Sequence, residues 1–305
     1  MTGSHNILIT GASGYLGGTL LARWASAGLT GYDRLFALVR TDAQREQIKK
    51  YGAEPLTFSS RDEQAVRDAV VQNRITIVFY LIDAFESVGQ ENFIKALGEV
   101  KSQTGLDVHL LHTSGAKIFS GLAGAPTDSP LLDTDPGLYD IQKAQEPPIS
   151  FMKKAGIAAG QVHSVTSGRP VRGVFLLKSI EKENPGYGKN GYYLAASGSV
   201  IWDDLYEAMA KALRARNVIT DERVTPADET ALGKMAQGLS TESSLVQMRL
   251  AGKCTFTAEH GAQLGWKPQF PPEHILEAAD DEVELILRTI SSDASSGDKP
   301  WYKKE

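Results

Sequence analysis

The sequence predicts an α/β protein, a doubly wound parallel sheet followed by a small, mostly helical C-terminal lobe. Three observations predict it. Apolar runs alternate with helix-period patterns as far as residue 113. Those runs are apolar throughout, as in parallel strands covered on both faces, rather than alternating with polar residues. The first of them, Ile7-Leu8-Ile9, passes through Thr10 into Gly11, Gly14 and Gly17 and at once into a helical apolar set, Leu16, Leu20, Leu21, Trp24 and Ala25. Right-handed crossovers make such a sheet doubly wound and put its ligands at the carboxyl ends of the strands.

Strands are expected at Asn6–Thr10, Leu35–Val39, Pro55–Phe58, Thr76–Ile82 and Val108–His112, with helices near 15–28, 42–51, 61–73 and 88–103 between them. Residues 116–148 carry five prolines with several Gly and Asp, and read as loop. A helix is expected near 150–159, then an ambiguous run over 163–177 and a short strand at Gly191–Ala195. Trp202, Leu205, Ala208, Met209 and Leu213 share one face of a strong helix over 201–216. Helices near 228–238, 257–264 and 272–290 close the chain. The expected division is a dinucleotide domain at 1–148, the rest of the fold and a small lobe at 149–290, and a disordered tail at 291–305.

Bulk properties exclude several functions. The 305 residues suffice for one large α/β domain, with or without a small lobe. A formal charge of −5, with Lys and Arg scattered, argues against a nucleic-acid or anionic-membrane partner. One cysteine, Cys254, cannot form an internal disulfide, and six dispersed histidines make no metal framework. His109 and His112 would point to opposite faces of one strand. The run from Ile75 to Ile82 is too short to cross a bilayer, and residues 1–5 lack the features of a signal peptide. A cytoplasmic location is expected.

The glycine-rich turn carries the chemistry. A strand, a tight turn and a helix with a bare N-terminus form an anion site, because the first amides lack intrahelical partners and the dipole is positive there. Glycines let the backbone approach a pyrophosphate closely. Gly11, Ser13, Gly14, Tyr15, Leu16 and Gly17 are therefore the expected dinucleotide-binding residues. The residue just past the second strand faces the adenosine ribose in such a fold. An arginine there, Arg40, pairs with a 2′-phosphate through its fork of donors, and Thr41 adds a hydroxyl. NADP is accordingly the expected cofactor, with NAD as the alternative; an ordinary surface role is the rival account of Arg40. Ser59 and Asp83, at two further strand ends, complete the expected cofactor set.

Tyr139 and Lys143 form the only Tyr-x-x-x-Lys in the chain and stand one helical turn apart. An ammonium near a phenol favours the phenolate, which suits proton exchange with a substrate oxygen. Lys143 is also expected on the nicotinamide ribose.

Together these residues resemble the short-chain dehydrogenase/reductase superfamily in its extended, epimerase/dehydratase-like form, with a Rossmann-type fold. The likeness covers residues 5–145. Gly191-Tyr192-Tyr193-Leu194-Ala195, Trp202-Asp203-Asp204-Leu205 and Leu264-Gly265-Trp266-Lys267-Pro268 resemble a fungal-type branch of it. The resemblance implies a substrate-binding hydroxyl at the end of strand five, where His112-Thr113-Ser114-Gly115 stands, with Ser114 25 residues before Tyr139.

Three departures qualify it. Aligned on Ile118-Phe119, the family's hydroxyl column falls on Gly115, so either Ser114 or Thr113 substitutes or the hydroxyl is missing. Ser59 replaces the family's usual Asp near adenine, and Asp62 reads as a helix N-cap. Only 47 residues separate Lys143 from Gly191, and Pro147-Pro148 must end the helix early. A shortened substrate lobe is expected, with the stretch Ser164–Val174 as a compressed strand or a linker. Family members often pair as homodimers through two long helices, and the short helix after Tyr139 argues against that here. The expectation is an NADP(H)-dependent oxidoreductase acting on a carbonyl or alcohol of a small organic substrate. A non-catalytic redox sensor and an epimerase or dehydratase are its rivals. The acidic run Asp280-Asp281-Glu282 with Glu284 is expected to be a solvated face, and Trp202 and Trp266 to serve packing.

Overall fold

A computed structural model describes residues 4–146, 171–172, 186 and 188–296. Six strands form one parallel sheet: β1 His5–Ile9, β2 Tyr32–Leu38, β3 Glu54–Leu56, β4 Ile77–Tyr80, β5 Val108–His112 and β7 Val171–Arg172. Their order is β3-β2-β1-β4-β5-β7. The chain runs outward from β1 to β3, then returns to the other side of β1 at β4. The switch point therefore lies between the carboxyl ends of β1 and β4, where a crevice opens in such sheets.

Both faces are packed, as the uninterrupted apolar strands require. On one face Leu8, Phe36, Val78 and Leu110 meet Val66 and Val70 of α3 (Glu63–Gln72) and Phe93, Ile94 and Leu97 of α4 (Val88–Thr104). On the other, Ile7, Ile9, Leu35, Ile77 and Phe79 meet Leu21 and Trp24 of α1 (Tyr15–Trp24) and Ile48 of α2 (Asp42–Lys49). Ile7, Leu8 and Ile9 are fully buried, so β1 is the centre of the sheet. Asp62 caps α3 by accepting the Ala65 amide at 3.0 Å, as its sequence position predicts.

The expected loop over 116–148 holds more structure than its composition suggests. Short 3-10 turns at Ala116–Phe119 and Gly121–Ala123 lead to β6, Leu131–Leu132, and then to α5, Leu138–Ala144. β6 pairs in parallel with β8, Phe256–Thr257. This pairing brings residues 254–265 back into the first compact unit, which also holds residues 1–194. The second unit comprises 195–253 and 266–305.

One strand expectation needs correction. Gly191–Ala195 is not a strand: the Leu194 amide donates to the Asp133 carboxylate at 2.9 Å, not to a neighbouring strand. Within Ser164–Val174, residues Val171–Arg172 do pair with Val108–His109 as a sixth parallel strand. The helix expected near 150–159, most of the run over 163–177, Pro147, Pro148 and Trp301 lie outside the described residues.

The second unit is helical among its described residues. Trp202–Ala215 and Glu229–Gly238 stand where expected, and Ser243–Leu250 adds an unforeseen helix. Trp202 stacks on Tyr206 and donates to the Gly252 carbonyl, so it does serve packing. The helix expected at 272–290 divides into His274–Glu277 and Ala279–Ser296. The latter continues to Ser296, past the expected tail boundary at 291. Its acidic run is not simply a solvated face. The Arg216 guanidinium forks onto Asp280 at 2.5 and 2.8 Å and reaches Glu284 at 3.4 Å. No helix among the described residues is long and apolar enough to cross a membrane.

Candidate active site

The turn after β1 is built by close backbone approach. Gly11 has φ +61°, a left-handed conformation that glycine adopts freely. A Cβ on Gly17 would lie 2.3 Å from the Gly11 carbonyl oxygen, so only glycine lets α1 start this near the strand. Thr10 locks the turn to the next strand: its amide donates to the Phe79 carbonyl, and its hydroxyl accepts the Leu81 amide at 2.9 Å. Thus Thr10 ties the end of β1 to the end of β4 at the switch point of the sheet.

The α1 N-cap is Gly14, without side-chain cap and without an acidic residue in the first turn. By helix geometry the first-turn amides have no intrahelical partners. Ser13 and Gly14 are exposed, and Tyr15 and Leu16 stand out from the first turn at 88% and 53% exposure.

Arg40 is exposed one residue beyond the buried Val39 and forms no ion pair among the described residues. Thr41 has a role that its expected one overlooked. Its side chain accepts the Gln44 amide at 3.3 Å, while the Gln44 side chain accepts the Thr41 and Arg40 amides. This reciprocal cap fixes the backbone that carries Arg40. Ser59 is exposed and its hydroxyl accepts the Arg61 amide at 3.3 Å. Asp83 shapes its own loop: its carboxylate accepts the Phe85 amide, and its carbonyl accepts Nε2 of buried Gln90. Beside it Ile82, Phe85 and Val88 are exposed apolar residues at the carboxyl end of β4, which patterning alone did not single out.

Tyr139 and Lys143 do come together on α5. The Lys143 Nζ lies 4.6 Å from the centroid of the Tyr139 ring. It also pairs with Asp140 at 2.9 Å, a competitor inside the motif that the spacing argument missed. The hydrogen bond and charge of Asp140 hold the Lys143 ammonium above its ordinary pKa, with Tyr139 adding to the effect. In turn Lys143 lowers the Asp140 carboxyl.

Thr113 extends β5 by donating its amide to the Tyr80 carbonyl. Ser114 Oγ is closed off from solvent and has no hydrogen-bond partner among the described residues, so the structure does not join it to Tyr139. A buried hydroxyl without a partner is costly by about 1–3 kcal/mol and needs a reason. Among the described residues no group of three or more His, Cys, Asp or Glu could hold a metal ion.

The family model described as the NAD dependent epimerase/dehydratase family matches residues 7–120. No curated protein matches the chain. Among solved structures, that of gox2253 is 14% identical, covered to 99% by 94% of this chain, with a TM-score of 0.55. The nucleoside-diphosphate-sugar epimerase from Agrobacterium tumefaciens is 13% identical over 90% of this chain and 93% of its own, with a TM-score of 0.49. The UDP-glucose 4-epimerase of Thermus thermophilus, solved in complex with NAD, is 13% identical over 92% and 99%, with a TM-score of 0.48. At such identities the likeness concerns the fold, and gox2253 carries it.

Proposed function

We propose that this chain, whose residues 7–120 match the model of the NAD dependent epimerase/dehydratase family, is an NADP(H)-dependent oxidoreductase acting on a carbonyl or alcohol of a small organic molecule. The observation that carries the proposal is the corner at the sheet's switch point, where Gly11 and Gly17 bring the uncapped, exposed start of α1 close against the end of β1. A diphosphate fits there: the amides of the first turn point outward, and Gly14 presents no side chain. Gly11, Ser13, Gly14, Tyr15, Leu16 and Gly17 would enclose it. Arg40, without an ion pair among the described residues and held on a capped helix start, would take a 2′-phosphate. Ser59 and Asp83 would border the adenine end. NAD is the second candidate, separated from NADP by Arg40.

The cofactor supplies or accepts the hydride. Tyr139 would give a proton to the substrate oxygen or take one from it. Lys143 would hold the nicotinamide ribose and support charge on the phenol. Ser114, whose hydroxyl has no partner among the described residues, would bind the substrate oxygen, with Thr113 as the neighbouring substitute. Epimerisation or dehydration is the alternative chemistry within the family. The pairing of Lys143 with Asp140 favours a further reading, a non-catalytic dinucleotide sensor, because an occupied ammonium serves a phenolate less well. Turnover separates the readings. Over a panel of carbonyl substrates with NADPH, Tyr139→Phe is expected to lower kcat by about 100-fold or more while leaving NADPH affinity nearly unchanged. Equal activity in the variant overturns the catalytic assignment.

A further inference from the structure

Helix α5 spans only seven residues, Leu138–Ala144, and isolated helices that short are not stable in water. Its N-cap, Gly137, offers no side chain, and its C-cap, Gln145, is already extended. Something outside the helix must therefore hold Tyr139 in place. Leu138 and Gln142 are its buried residues, one turn apart on a single face. The Gln142 side-chain oxygen accepts the hydroxyl proton of Tyr192, itself buried with its ring edge-on to Phe119 at 5.5 Å.

Tyr192 is in turn fixed by a long-range knot. His260 Nδ1 lies 2.8 Å from the Tyr192 carbonyl, and the His260 ring stacks on Tyr193 at 4.0 Å. The amides of Glu259 and His260 donate to one oxygen of buried Asp133, at 2.7 and 2.8 Å, and that of Leu194 to the other. Gly186, with φ +76°, lies so close that a Cβ would meet the His260 ring at 2.8 Å. Two stretches far apart in sequence, 188–194 and 254–260, thus converge through Asp133 on one phenol under α5.

We infer that Tyr192, through its hydrogen bond to Gln142, is the positioning residue that sets α5 and so the place of the Tyr139 phenol. The inference rests on the catalytic reading of Tyr139 given above. Burial pushes the Tyr192 hydroxyl far above the usual phenol range, with the nearby Tyr139 adding to the shift. Tyr192 therefore stays a neutral donor and adds no charge beside Tyr139.

The test uses full-length protein: wild type, Tyr192→Phe, Gln142→Met and the double variant. Hydrogen exchange of the α5 amides and the steady-state constants with NADPH are read together. Tyr192→Phe should speed α5 exchange and lower kcat, each by about tenfold or more, with KM for NADPH rising by less than kcat falls, since Lys143 rides on the same helix. The double variant should lose no more than Tyr192→Phe alone, because removing both partners leaves no orphaned amide. Gln142→Met in the native background should match Tyr192→Phe. Unchanged α5 exchange in Tyr192→Phe, or losses that multiply in the double variant, would overturn the inference. A rise in the NADPH KM equal to the fall in kcat would also overturn it, as general loosening. If wild type turns over no carbonyl substrate, the catalytic reading fails, and α5 exchange alone decides the brace.

Discussion

A methyl group at Gly17 would press into the Gly11 carbonyl at 2.3 Å, whereas one at Gly18 would meet only the Ala12 carbonyl at an ordinary 3.6 Å. Two adjacent glycines should therefore respond in opposite ways. Gly17→Ala is expected to cost about 1–3 kcal/mol of stability and to abolish dinucleotide binding. Gly18→Ala should be neutral or should stabilise by up to about 1 kcal/mol, since glycine is a poor helix former. Thermal unfolding with and without NADPH checks both, and equal behaviour of the two variants would refute the close-approach argument. Arg40 is the other residue with a sharp consequence. Arg40→Asp should move the ratio of NADPH to NADH affinity toward NADH by about tenfold or more, because it replaces a donor fork with a repelling carboxylate. An unchanged ratio would show that Arg40 does not read the 2′-phosphate. The tight turn at Gly11 and Gly17 was legible in the sequence because glycine spacing after an apolar strand dictates it. Asp140 was not, since only the folded helix shows which of two neighbours holds Lys143.

At the scale of elements, β1 to β5 and α1 to α4 follow the periodicity of the chain closely, because long apolar runs in a doubly covered sheet leave little choice of face. The two-residue strands β6 and β8 gave no period to read, and their partner lies far away in sequence. The strand expected at Gly191–Ala195 failed for a related reason: its apolar character serves burial of Tyr192, while its backbone bonds go to a side chain. That side chain, Asp133, is where the local architecture is most exposed to mutation. Asp133→Ala would leave three amides without their acceptor and should cost about 3 kcal/mol or more. Asp133→Asn, which keeps one acceptor oxygen, should cost less. Denaturant unfolding checks the order, and a fully stable alanine variant would contradict it.

Across the whole molecule the two compact units answer to different forces. The first rests on an apolar core spread over both faces of the sheet. The second relies in part on an exposed ion pair, Arg216 with Asp280, in which the guanidinium holds the Asp280 carboxyl below its ordinary range. A carboxylate with a lowered folded pKa contributes stability that is complete above its unfolded pKa and is lost as pH falls through the folded value. Arg216→Ala should therefore lower the melting temperature of the second unit slightly at neutral pH, the difference from wild type shrinking as the solution is acidified. A difference that stayed constant with pH would assign the effect to packing of the arginine stem. The fold of this molecule and the position of its sheet's switch point could be anticipated from patterning; the contacts of α5 with Tyr192 could not, because they join distant segments.

The most direct test is calorimetric titration of the full-length protein with NADPH and, separately, with NADH. The corner at Gly11, Gly14 and Gly17 predicts saturable binding at one site per chain, tighter for NADPH, and absent in Gly17→Ala. No heat with either coenzyme, from a protein shown to be folded, would contradict the claim that this turn receives a dinucleotide.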